Sequence, residues 1–167
     1  ETGLAERPYW GPLNGRQAVS EQALAERALG HVPAGSVIVG ARNFGIFATA
    51  YSAQQRGHGV VLRLTAVRAK ALRGGPISSP GDYAVRWRAS RWDGKKQRPW
   101  PADASLEGRL IAERVGRGKQ QQWLYLFTTL SLPAAEVVVV DGAGHSIQGD
   151  KPVELAALIE RFVLDQG

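Results

Sequence analysis

Two short runs rich in β-branched residues, residues 36–40 and 60–64, flank a stretch of helical character, and this spacing constrains the fold more than any other feature. Residues 45–56 carry Phe47 and Tyr51 four positions apart and end at Gly57-His58-Gly59, a helix-terminating signal. Strand, helix, strand in this order is a βαβ unit. Its strands should run parallel, because a crossover of this length returns the chain to the end of the sheet from which it started. Upstream, residues 17–30 are rich in alanine and leucine, with Val19/Ala23 and Leu24/Ala28 at helical spacing. They predict an amphipathic helix, closed by the turn Pro33-Ala34-Gly35.

From residue 66 to residue 130 the texture changes. Gly74-Gly75-Pro76, Ser79-Pro80-Gly81, Trp92-Asp93-Gly94 and Pro99-Trp100-Pro101 are turn signals, and residues 83–92, 108–115 and 122–130 are the strands expected between them. A twisted antiparallel β segment follows from that pattern. Residues 137–140 are four consecutive valines, and Asp150 and Pro152 are placed to start a helix with Leu155, Leu158, Ile159, Phe162 and Val163 along one face. The predicted organisation is therefore α/β. Residues 1–65 form a helix and βαβ unit, residues 66–132 a basic β-rich insertion, and residues 137–167 a strand-helix tail.

At 167 residues the chain suffices for one domain with a substantial core. Without cysteine it can form no disulfide, no thiolate zinc site and no cysteine nucleophile. No apolar run approaches the roughly 20 residues of a membrane helix, and residues 1–14 lack the zones of a signal peptide. The expectation is a soluble, cytoplasmic protein of bacterial type with no membrane partner. Methionine is absent throughout, even at the first position, which suggests a fragment.

The net charge of +6 is unevenly spread: residues 56–119 hold 15 Lys/Arg against 5 Asp/Glu, whereas residues 137–167 hold 2 against 5. A concentrated cationic stretch suits a phosphate backbone, since each neutralised phosphate releases condensed counterions; a solvated surface is the alternative. Within it, Arg86-Trp87-Arg88-Ala89-Ser90-Arg91-Trp92 interleaves cations with aromatics. Strand alternation puts Arg86 and Arg88 on one face and Val85 and Trp87 on the other. These arginines with Arg91, Lys95, Lys96, Arg98, Arg114, Arg117 and Lys119 are the candidate DNA-backbone contacts. Arginines laid over tryptophan rings are the structural alternative.

The segment Val37-Ile38-Val39-Gly40-Ala41-Arg42-Asn43-Phe44-Gly45 resembles the second catalytic strand of DDE transposases of the insertion-sequence 4 group. Matching segments are Ala25-Glu26-Arg27, Val32-Pro33-Ala34-Gly35-Ser36, Gln55-Arg56-Gly57, Val61-Leu62-Arg63-Leu64 and Arg88-Ala89-Ser90-Arg91-Trp92. Ala112-Glu113-Arg114-Val115 and Leu124-Tyr125-Leu126-Phe127-Thr128-Thr129-Leu130 extend the resemblance, which covers about residues 8–136. It implies a partial RNase H-like core and DNA binding, cleavage and strand transfer in transposition and recombination. In that family three carboxylates hold two divalent cations, magnesium or manganese, that activate the attacking oxygen and stabilise the leaving one. Here Ala41 stands at the second aspartate position, and a methyl group cannot ligate a hard cation. The first aspartate falls before Glu1, and the glutamate-bearing helix should follow Glu136, where the chain turns into valines. The resemblance therefore implies a degenerate transposase fragment with no intact catalytic or metal site, expected to bind no cation. A non-catalytic basic DNA-binding module is the first alternative, and a fragment of an α/β-hydrolase, on the residues given next, the lesser one.

Asp141-Gly142-Ala143-Gly144-His145-Ser146, with the helix after Pro152, resembles the closing section of an α/β-hydrolase, which makes His145 the counterpart of that family's general base. A nucleophile elbow of the Gly-x-Ser-x-Gly kind is missing, and Ser36 lacks its second glycine. His31 and His58 have no carboxylate or cysteine at metal-ligand spacing.

Overall fold

The computed structural model describes residues 9–12, 14–90, 100–116, 118 and 121–131. The chain divides into two compact units, Glu1–Glu113 with Trp123–Ser131, and Arg114–Gln122 with Leu132–Gly167. The fold below is that of the first unit; of the second, the described residues belong to the end of one strand, the start of the next and their connection. The predicted tail, including His145, lies outside the described residues.

Helix α1 (Glu21–Leu29) starts later than the alanine-rich pattern does, because the Ser20 hydroxyl accepts a 3.2 Å hydrogen bond from the Ala23 amide and fixes the first turn. Strand β1 (Val37–Gly40), helix α2 (Phe47–Gln55) and strand β2 (Gly59–Arg63) follow as the βαβ spacing predicts. β1 and β2 are parallel, in the register Val37↔Gly59 to Gly40↔Leu62. Gly57, just past α2, has a φ of 77°, the left-handed conformation that a glycine takes up without a Cβ penalty.

The turn between β1 and α2 uses its glycines for space. A Cβ on Gly45 would lie 2.0 Å from the Arg63 carbonyl oxygen, so the turn passes directly against the end of β2. A Cβ on Gly40 would meet Leu62 at 2.6 Å.

Helix α3 (Ala66–Arg73) stands where the sequence reading expected only β structure. Its stop signals are local: the Thr65 hydroxyl accepts from the Arg68 amide at 3.3 Å, and Gly74 closes the helix with a φ of 76°. Strands β3 (Gly81–Arg88), β4 (Ser105–Val115) and β5 (Gln122–Thr128) complete the described elements. β3 ends earlier than the predicted boundary at residue 92, with Ala89 and Ser90 already outside the strand, and β5 ends two residues before Leu130.

The five described strands form one sheet in the order β1-β2-β5-β4-β3. β5 runs antiparallel to β2, with Leu62 opposite Phe127, and β3 runs antiparallel to β4 from Gly81↔Ala112 to Arg88↔Ser105. The antiparallel strands are thus a continuation of the βαβ sheet. Along β2, β5 and β4 every second side chain enters one core: Val60 and Leu62, Tyr125 and Phe127, Leu106 and Leu110 are buried together with Phe47, Ala50 and Ala53 of α2. Phe127 stacks edge-on against Trp87 with centroids 4.8 Å apart, and Phe47 meets Trp87 at 6.1 Å. Burying a side chain as large as Phe127 contributes roughly 1.5–3 kcal/mol, so this aromatic cluster ties α2 to the antiparallel half.

Candidate nucleic-acid interface

The end of β1 is where the resemblance would locate chemistry. Ala41 is exposed there, beside exposed Arg42 and Asn43. Asn43 donates to the Glu21 carboxylate at 3.0 Å and its carbonyl accepts from Gln22 at 3.3 Å, so this turn is laced to α1 by polar contacts already satisfied. Among the described residues no three His, Cys, Asp or Glu side chains are grouped as a metal site requires.

Cations gather instead along α3 and the edge strand β3. The sequence of α3, Ala-Val-Arg-Ala-Lys-Ala-Leu-Arg, supplies Arg68, Lys70 and Arg73 and no acid. Ala69 is fully buried and Leu72 partly so, which leaves the cations on the outer side. Arg73 lies over the Tyr83 ring at 4.5 Å, and the Arg68 guanidinium donates to the Arg42 carbonyl at 3.3 Å. Of the tryptophans in the arginine-rich stretch, Trp87 packs on Phe47 and Phe127, and Trp92 lies outside the described residues.

A cavity of about 490 Å³ opens beside these elements, lined by Arg68, Arg86 and Arg88, by Ser90, and by an apolar wall that includes Phe47, Leu72 and Trp87. Among the described residues no carboxylate lines it. A second cavity of about 520 Å³, against α1 and α2, carries Glu26 and Arg56 together; these two form an ion pair at 2.9 Å, and the Ser52 hydroxyl bridges them, so its charge is internally balanced.

Alternation places the two β3 arginines as predicted, exposed and out of step with Val85 and Trp87. Their surroundings differ from the expectation of a free basic face. Arg86 is ion-paired with Glu107, its cross-strand neighbour, and both side chains are more than half exposed. Two registers away, Arg109 grips Asp82 with Nε at 3.0 and 3.2 Å from the two carboxylate oxygens, and donates through Nη1 to the Leu130 carbonyl at 3.1 Å. The hydrogen bond to Asp82 raises the Arg109 pKa further above its ordinary value, against the opposing effect of burial. Arg88 is exposed and makes no ion pair among the described residues.

Of the other predicted contacts, Arg114 is exposed near the end of β4, while Arg91, Lys95, Lys96, Arg98, Arg117 and Lys119 lie outside the described residues. Arg42, Arg68, Lys70 and Arg73 were missed by sequence reasoning. The Thr65 and Gly74 caps around an acid-free octapeptide are the signal that could have found three of them. Of the two described histidines, His31 is held by the Tyr9 hydroxyl at 2.6 Å and the Arg27 carbonyl at 3.0 Å, and His58 is buried with neither ring nitrogen hydrogen-bonded among the described residues. Ser36 donates its hydroxyl to the Pro33 carbonyl at 2.7 Å. No described helix is long and apolar enough to cross a membrane. No protein-family model, no curated protein and no solved structure matches the chain.

Proposed function

We propose that the chain binds nucleic acid through its sugar-phosphate backbone, without cutting it, and that it derives from a DDE-type transposase with an RNase H-like core. The observation that carries the binding is the cavity lined by Arg68, Arg86 and Arg88, with no carboxylate among its described lining residues, beside the cationic side of α3. Arginine forks match phosphate oxygens in geometry, and backbone contacts of this kind are indifferent to base sequence. What supports the loss of cleavage is Ala41, exposed at the strand end where the resembled enzymes carry a metal-binding aspartate.

Binding of a labelled duplex, followed across salt, tests the reading. Affinity should fall by about tenfold or more between about 50 and 200 mM salt if several phosphates are contacted. Arg68→Glu with Arg88→Glu should flatten that dependence, and an unchanged slope would mean that this surface is only solvated. Supercoiled DNA should remain intact with magnesium or manganese, and Ala41→Asp should not restore nicking, since one carboxylate cannot hold a two-metal site.

A further inference from the structure

The three arginines of the α3–β3 cavity are not equally available to a ligand. Arg88 is exposed, Arg68 among the described residues is tethered to the Arg42 carbonyl alone, and Arg86 is held by Glu107 across the β3–β4 register. Glu107 itself does not line the cavity. The Arg86 and Glu107 side chains are 56% and 67% exposed, so water already screens their attraction and one anion can replace another at little cost. The neighbouring Arg109–Asp82 pair is different: at 21% and 32% exposure, with a further bond to the Leu130 carbonyl, it is committed to the sheet. β3 is the last described strand of the sheet on this side.

Resting on the nucleic-acid reading above, we infer that the cavity seats a backbone phosphate and that Glu107 is its built-in competitor, an affinity-setting residue that holds Arg86 until a phosphate takes it. A carboxylate and a phosphate both accept paired hydrogen bonds from a guanidinium, and the phosphate offers more charge and more acceptor oxygens. A phosphate placed between Arg68 and Arg88 draws Arg86 from Glu107, whose carboxylate returns to water. The apolar wall of Phe47, Leu72 and Trp87 keeps water from one side of the site and strengthens the attraction there.

A double-mutant cycle on the full chain decides it, with fluorescence anisotropy of a short labelled duplex. Glu107→Gln should tighten binding by about threefold to tenfold at about 100 mM salt and add about one ion to the salt slope. In the Arg86→Met background the same substitution should change nothing. A gain that persists without Arg86 would be a general charge effect and would overturn the competitor role, as would no gain at all. Both positions are exposed, and unchanged thermal unfolding of each variant confirms that the comparison is between folded chains. If neither the wild type nor Glu107→Gln binds the duplex at any salt, the nucleic-acid reading falls by itself. Inorganic phosphate, followed by the Nε–H signals of the arginines, then tests the cavity alone: saturable shifts at Arg68 and Arg86 support an anion site there, and flat signals reject it.

Discussion

The two outer strands of the described sheet, β1 and β3, differ in how they meet solvent. β1 is four residues long, carries no charge, and leaves Val37 42% and Val39 79% exposed. β3 is eight residues long and alternates, with Asp82, Arg86 and Arg88 at its exposed positions and α3 packed beside it. An edge strand offers unpaired backbone groups to any passing strand, and charged side chains are a common protection. The β3 edge has that protection and the β1 edge lacks it. The lesson is that charge on this molecule is placed by strand, and that the parallel end and the antiparallel end are held by different means: close backbone approach at one, aromatic packing and ion pairs at the other.

The largest effect should come from the parallel end. Gly45→Ala puts a methyl group on the Arg63 carbonyl, where neither backbone has room to move, and should cost about 3 kcal/mol or more in urea denaturation. Gly75→Ala, beside α3, meets nothing within 4 Å and should stay within about 0.5 kcal/mol. Equal costs at the two glycines would remove the contrast between the ends. Next in size is the ion-pair ladder. Arg109→Ala strips partners from a half-buried carboxylate and from the Leu130 carbonyl and should cost about 2 kcal/mol, whereas Arg86→Ala, in an exposed pair, should cost about 0.5 kcal/mol or less.

A third substitution sharpens the comparison in the other direction. His58 precedes β2 and is 4% exposed, with neither ring nitrogen hydrogen-bonded among the described residues. His58→Leu should therefore stabilise the fold, by about 1 kcal/mol in the same denaturation assay. A loss of stability would mean that the ring fills its site in a way that leucine cannot. The smallest change in stability is expected at the bare edge: Val39→Lys, at an exposed position, should shift folding by no more than about 0.5 kcal/mol. Its effect should appear in light scattering at high concentration, as reduced self-association through β1. Unaltered scattering would show that the exposed valines attract no partner strand.

Much of the fold could be read along the chain because its signals are local. The β-branched runs around Val37 and Val60, the Phe47/Tyr51 spacing and the glycines at 57 and 59 specify strand, helix and strand within about one turn of each element, and alternation along β3 assigns Trp87 inward and Arg86 outward. The helix α3 was lost because eight residues with small apolar side chains and three cations give a weak periodic pattern, and because turn signals on either side drew the whole stretch into a β reading. At the candidate site, alternation and charge singled out Arg86 and Arg88, while Arg68 went unseen because it reaches the cavity from another element, α3.

What the sequence determined by itself is the parallel βαβ unit, the alternation of the basic strand, and the alanine at residue 41, since each depends on residues adjacent or nearly adjacent in the chain. What only the tertiary structure decided is pairing at long range. β5 closes on β2, so the antiparallel strands extend the parallel sheet; Glu107 and Asp82 claim Arg86 and Arg109; and α3 brings Arg68 to the cavity. Those partners lie some 20 or more positions apart, and a one-residue slip in register would have paired different charges; local propensity cannot choose among such registers, but a shared buried face built on Leu62, Phe127 and Leu110 can.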